Sequence, residues 1–478
     1  MRLFALLLLL VHLTAASLIA ARLPLGRRVN TLIEASPVAR NAFWGIEVRD
    51  LDSSTTVLRF NDRRLFVPAS NTKLFTTALA LTRLGPAFHV QTVVAAAAPP
   101  DSEGRIAGDL TLVGAGDANL SGRPIPFDPN APKQDPLTAM RDLATQLYTQ
   151  GVRSVMGNVI GDDTRFLYEP YAPGWSIEDP VYSDGAPVSA LSVNDNAISI
   201  TIDALRVTFA PPLAVFTTEN GIVPGPKRQI HISREPGSLT LRLWGTIPLD
   251  DPGETDTLSV DDPARYAALA LIAALQEQGI TVSGVAIARH AYPGMVPQTP
   301  APGVVLVQHD SPPLIEDLRI TDKVSQNLHA EMLLRQVGQG SRREGLRAMA
   351  EFVSQSGIEP ADYHFADGSG LSRLNLVTPH AVVQLLTYMS SSPLAADFAS
   401  LLPIAGVDGS LRLRFERSSA KGKVFAKTGS LSHASALSGY AVRRNGHRLA
   451  FSILVNNYNG STAEVRAVID RICALLVE

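Results

Sequence analysis

Strand signals stand at both ends of this chain, with helical periodicity lying between them, and few folds satisfy that layout. Residues 43–60 read as a strand pair. Phe43, Ile46 and Val48 lie on one run and Val57, Leu58 and Phe60 on the other, with Asp52, Ser53 and Ser54 as turn chemistry between. Near the other end, Val424–Leu431, Ala436–Val442 and Leu449–Val455 read as three further strands. Asn445-Gly446 joins the last two as a tight hairpin. A closing helix begins at Ser461 with Glu464 three residues on, the pattern of a capping box. Residues 313–355 and 377–401 carry helical spacing. The expected core is therefore an α+β sandwich whose one sheet is assembled from the two chain ends.

The middle, roughly residues 89–303, reads as an α/β insertion into that core. Its exit is marked by Pro293, Pro297, Pro300 and Pro302. Inside it, Pro136–Gly151 is a helix with a glycine stop followed by Val155-Met156-Gly157, and Pro263–Gly279 is another followed by Val282-Ser283-Gly284. This echo is either a common local motif used twice or a true duplication. Residues 119–200, rich in Pro, Gly and Asp, suggest a smaller module within the insertion. The predicted division is a core of 22–88 and 304–478, an inserted domain of 89–118 and 201–303, and a nested domain of 119–200. A length of 478 residues accommodates two or three domains.

Residues 1–21 are of a different kind. Arg2 precedes the almost wholly apolar stretch from Leu3 to Leu13, and small residues follow at Ala15, Ala16, Ser17, Ala20 and Ala21. That order predicts a secretory signal peptide and an exported protein, in a periplasm or on the outer surface; the alternative is an uncleaved membrane anchor. The single cysteine, Cys473, is spaced with Val465, Val468, Ile469 and Ile472 as a core position of the last helix. A formal net charge of −3 gives no basic field for nucleic acid.

Three short motifs occur in order: Ser70-Asn71-Thr72-Lys73, Ser325-Gln326-Asn327 and Lys427-Thr428-Gly429. Ser418-Ser419-Ala420-Lys421 and Ser192-Val193-Asn194 match the same short patterns, so context has to choose. Ser70 follows Pro68-Ala69 and opens a helix carrying Leu74, Phe75, Ala78, Leu79 and Leu81. Lys73, one turn on, lies beside its hydroxyl. A serine is a poor nucleophile until a base takes its proton, and a desolvated neutral lysine can be that base. Lys427 sits on a strand-like run whose Gly429 leaves room for a substrate backbone to lie alongside. Each motif alone has a plainer reading: helix caps at Ser70 and Ser325, and a solvated strand lysine at Lys427.

Taken together the three resemble the S-x-x-K, S-D-N and K-T-G set of penicillin-reactive serine enzymes. More closely, the chain resembles the low-molecular-mass penicillin-binding proteins of the D-alanyl-D-alanine carboxypeptidase/endopeptidase, or penicillin-binding protein 4, type. The likeness also rests on Ser311-Pro312-Pro313-Leu314, on the run from Asp367 to Arg373, and on Leu402–Gly406 with Gly409-Ser410-Leu411. The domain-sized gap between Ser70 and Ser325 fits that family, which carries two extra domains there, and argues against a β-lactamase.

The resemblance implies a β-lactamase/transpeptidase-like α/β/α sandwich and a reaction on peptidoglycan stem peptides ending in D-Ala-D-Ala. It implies Ser70 as nucleophile, Lys73 as its base and Ser325 as proton relay to the leaving amine. Asn327 would orient substrate, and Lys427 and Thr428, with Gly429, would receive the terminal carboxylate. The backbone N–H groups of Ser70 and Ser430 would form the oxyanion hole, and β-lactam antibiotics would acylate Ser70. No metal or cofactor is expected: the 10 histidines include no H-E-x-x-H, and no phosphate-binding loop is present. The alternatives are an idle wall-binding protein, or a β-lactamase or esterase on the same fold.

Overall fold

A computed structural model describes residues 23–128, 131, 134–203, 206–235, 237–294 and 303–478. The predicted leader, and Pro297, Pro300 and Pro302 of the insertion's exit, lie outside the described residues. Two compact units emerge. The first comprises the chain up to Asn71, Ser356–His364 and Leu376–Glu478; the second comprises Thr72–Gln355 and Phe365–Asn375.

The first unit is built on a five-stranded sheet. Its strands are β1 (Phe43–Asp50), β2 (Thr55–Phe60), β3 (Val424–Leu431), β4 (Ala434–Val442) and β5 (Arg448–Asn456), in the order β2-β1-β5-β4-β3. Both chain ends thus supply it, and every neighbouring pair is antiparallel. Alternation along β1 separates the two faces. Trp44, Ile46 and Val48 pack with Val29 and Ile33 of the Leu25–Glu34 helix and with Val465, Val468, Ile472 and Cys473 of the Thr462–Leu476 helix. Cys473 is fully buried there, and burial pushes its thiol well above its ordinary value. On the other face, Glu47 accepts a hydrogen bond from His380 at 2.9 Å in the Pro379–Ser390 helix. Helices cover both faces, so the unit is an α/β/α sandwich. Asp50 shapes the β1–β2 turn by accepting the Ser53 N–H at 2.9 Å, and Gly446 takes the positive φ of 87° that the β4–β5 hairpin needs.

The second unit joins a helical cluster to the insertion. The cluster consists of α1 (Thr72–Leu84), α2 (Leu314–Lys323), α3 (Asn327–Val337) and α4 (Arg342–Gln355). Residues 72–81 of α1 are buried without exception, so this stretch of the helix presents no face to solvent. The insertion centres on a five-stranded sheet containing residues 91–96, 110–113, 159–167, 286–291 and 304–310. The strand 159–167, from the stretch expected to be a nested module, belongs to that sheet. Strands between 197 and 259 form two three-stranded sheets of their own.

The internal echo has a structural counterpart. The Thr138–Thr149 and Pro263–Glu277 helices both end before a glycine at positive φ, Gly151 and Gly279. Their following strands, 154–155 and 281–282, pair in parallel, and so do the next two, 159–167 and 286–291. The two copies therefore lie side by side in matching register, as a duplicated helix–strand unit would.

Candidate active site

In the first unit, Ser70 occupies a single 3-10 turn, Ala69–Asn71, that leads directly into α1, rather than the first turn of the α-helix itself. Ala69 is held at a φ of 47°, a left-handed conformation unfavourable for a residue with a side chain. The turn is docked on β3. Asn71 Nδ2 donates to the Lys427 carbonyl at 2.9 Å, and both groups are buried. Gly429 comes up against the same turn: a Cβ there would lie 2.7 Å from the Pro68 carbonyl oxygen and 3.2 Å from the Ser70 nitrogen. Only glycine lets the strand and the turn approach this closely.

The rest of β3 is tightly specified. Lys427 is fully buried and its Nζ donates to the Thr428 carbonyl at 3.1 Å. Thr428 Oγ1 lies 2.8 Å from Ser410 Oγ. Ser430 Oγ donates to the Gly429 carbonyl at 2.8 Å and accepts from Arg466 Nη2 at 2.7 Å. This unit therefore gathers Ser70, Lys427, Thr428, Gly429 and Ser430.

In the second unit, Lys73 projects from the first turn of α1 and is fully buried. Its ammonium donates to Asn327 Oδ1 at 2.6 Å and to the Ser369 carbonyl at 2.7 Å. Burial drives its pKa down from the ordinary lysine value to about 8, opposed by the carboxylates of Asp367, Asp322, Glu331 and Asp184. An amine so poised gives up its proton near pH 8. Ser325 precedes α3 at a φ of 65°. Asn327 is the first residue of α3, and its Nδ2 donates to the Asp184 carbonyl at 2.8 Å. This unit gathers Lys73, Ser325 and Asn327.

Sequence reasoning assigned no role to the loop that presents the Ser369 carbonyl. Asp367 builds it, accepting the N–H groups of Gly370 at 2.8 Å and Ser372 at 2.6 Å, the Asn375 amide at 2.6 Å and the Trp175 indole at 3.0 Å. Glu331 on α3 fixes the same loop from behind, one oxygen accepting the N–H groups of Gly368 and Ser369, each at 2.8 Å. Its other oxygen pairs with buried Arg335 at 3.0 Å. Asp367 at the head of a Gly-Ser-Gly run was the available signal. The decoys behave differently: Ser418 Oγ accepts the Ala420 N–H in a turn, and Ser192 Oγ accepts from the Asn196 amide. Elsewhere in the second unit Asp162 pairs with Arg289, Asp163 with His290 and Asp179 with Arg373.

A fold with these motifs defines a class, and the comparisons give the family. The profile of the D-Ala-D-Ala carboxypeptidase 3 (S13) family matches residues 25–477, so the chain belongs to that peptidase family. A D-alanyl-D-alanine carboxypeptidase of Actinomadura sp. (strain R39) is 35% identical over 94% of this chain and 84% of that protein. The penicillin-sensitive carboxypeptidase A of Dictyostelium discoideum is 28% identical over 91% of this chain and 87% of that protein. Penicillin binding protein 4 (dacB) from Haemophilus influenzae shares the fold, with a TM-score of 0.79 over 94% of this chain and 98% of that one at 23% identity; it has also been solved with a β-lactam. The expected fold class and the expected enzyme class, a D-alanyl-D-alanine carboxypeptidase, both stand.

Proposed function

We propose that Ser70 is the nucleophile of this peptidase and Lys73 its general base. The observation that carries the assignment is the Lys73 amine: buried, aimed by Asn327 and Ser369, and poised at about 8, three residues after the serine. Ser70 Oγ attacks the carbonyl of the penultimate D-Ala as its proton passes to Lys73 Nζ. The C–N bond then breaks, and terminal D-Ala leaves after its nitrogen receives a proton by way of Ser325. Water hydrolyses the resulting ester and frees Ser70.

The N–H groups of Ser70 and Ser430 receive the oxyanion, and Asn327 orients the peptide. Lys427 and Thr428 take the terminal carboxylate, with Gly429 leaving space beside the strand. The close fit of Gly429 to the Ser70 turn supports this division of labour. The substrates are peptidoglycan stem peptides ending in D-Ala-D-Ala, and β-lactams acylate the same serine. The β-lactam complex of the Haemophilus relative and the penicillin sensitivity of the Dictyostelium relative support this reading. The apolar leader supports export to the cell envelope; among the described residues no helix is long and apolar enough to cross a membrane.

The test is exposure to fluorescent penicillin, followed by a stem peptide ending in D-Ala-D-Ala. A stable adduct and release of D-Ala are expected, and both vanish in Ser70→Ala. Labelling retained by that variant would overturn the assignment, and rapid turnover of the penicillin would instead indicate a β-lactamase.

A further inference from the structure

Gln326, between the two assigned residues of the middle motif, uses its side chain in two directions. Oε1 accepts the Leu328 N–H at 3.1 Å and so caps α3. Nε2 donates to Asp195 Oδ2 at 2.9 Å. The turn it belongs to is strained, because Ser325 ahead of it holds a φ of 65°. Such a conformation persists only where its surroundings over-determine it.

Asp195 is itself unusually fixed. It is the middle of three successive residues at positive φ, Asn194, Asp195 and Asn196, at 49°, 56° and 53°. Arg123 pairs with both of its carboxylate oxygens. His329 Nε2 donates to Asp195 Oδ1 at 3.0 Å, and His329 Nδ1 donates to Asp317 Oδ1 on α2 at 2.5 Å. With a carboxylate on each ring nitrogen, the fully buried imidazole carries both protons. Burial pulls its pKa down, but Asp317 and Asp195 outweigh that and lift it to about 9. Burial likewise pushes the Asp195 carboxyl up, and Arg123 and His329 overcome it, holding the group well below the carboxylate range. One carboxylate therefore holds α3 at two points, through Gln326 just before Asn327 and through His329 two residues after it.

We propose that Asp195 is a positioning residue for the reaction: through Gln326 and His329 it fixes the Ser325–Asn327 turn, and with it the Asn327 oxygen that aims the Lys73 amine. The proposal rests on the reading that Ser325, Asn327 and Lys73 act in catalysis. It assigns a task to an ion pair, Arg123 with Asp195, that lies more than a hundred residues before the motif it serves.

Two single changes test it. Gln326→Glu keeps the side-chain length and still caps Leu328, but sets a second carboxylate against Asp195 Oδ2. Asp195→Asn leaves Gln326 in place, but its single amide oxygen cannot accept from Arg123, Gln326 and His329 together. The readouts are the second-order rate of acylation by fluorescent penicillin, its pH profile and the melting midpoint. Each variant should acylate about tenfold or more slowly, with the inflection set by Lys73 displaced because the Asn327 oxygen no longer aims its amine. A parental rate and inflection in either variant overturns the proposal. If Q326E does not fold, Gln326→Met removes both bonds without adding charge; its acylation should fall about tenfold, and an unchanged rate again overturns the proposal. Failure of the reaction reading looks different, since the parent would then not be labelled or Ser70→Ala would be.

Discussion

In the first unit, the approach of Lys427–Ser430 to the Ser70 turn is made of uncharged contacts, mostly backbone: a carbonyl accepting from the Asn71 side-chain amide, and a glycine against the Pro68 carbonyl and the Ser70 nitrogen. In the second unit, Lys73, Ser325 and Asn327 sit among ions: buried Asp322, Glu331 and Asp367 around the lysine, and buried His329 with half-buried Asp195 behind the asparagine. The two constructions fail in different ways. A backbone contact is indifferent to pH but intolerant of an added methyl group. An ionic one tolerates small changes of shape but responds to any change of charge, because little water is present to screen it.

Replacing the proposed nucleophile should give the largest effect. Ser70→Ala is expected to lower acylation and D-Ala release by about 10⁴-fold or more, read from penicillin labelling and a D-Ala assay. A change in the charge-built half comes next: Lys73→Ala should cost roughly 10³-fold in acylation with binding of the stem peptide little affected, a split visible in kcat against KM.

The same half should carry the pH dependence. With the Lys73 pKa at about 8, the neutral amine is gained as pH rises, so the acylation rate climbs about tenfold per pH unit below that value and levels off above it. A rate flat between pH 6 and 8 would remove the lysine from the role of base. For folding the sign is also fixed: the buried amine resists protonation, so its cost to stability is greatest below pH 8 and fades as pH rises toward 10.5.

The backbone-built half gives the smallest effect and the sharpest contrast. Gly429→Ala forces a methyl group onto the Pro68 carbonyl and should destabilise the fold by about 1–3 kcal/mol, read as a lowered melting midpoint. Its acylation rate should fall at every pH by the same factor, leaving the inflection near 8 in place. A shifted inflection would mean that the two halves are not separable in this way.

Much of this was legible in one dimension because the signals are local. The β1–β2 turn, the Asn445-Gly446 hairpin, the Ser461 cap and the apolar spacing around Cys473 are each set by neighbours within a few residues. The three motifs stand in order in the sequence, the resemblance gave them candidate roles, and local context set the turn at Ser418 apart from Ser70. Other features were out of reach. Nothing local says that a serine at 369 presents its carbonyl to Lys73, since a carbonyl has no residue-type signature. His329 and Glu331 carry no local signal of their roles, because their partners, Asp195, Asp317 and the 368–369 backbone, lie on separate elements.

What the sequence by itself determined was therefore the order and spacing of the candidate side chains and the strands and helices that carry them. What only the tertiary structure decided was their state: a lysine readied to lose its proton, a histidine made to keep two, and a glycine required by a close approach. Periodicity and turn chemistry act over a few residues. Desolvation, buried charge pairing and close packing depend on which distant groups share a space from which water is excluded.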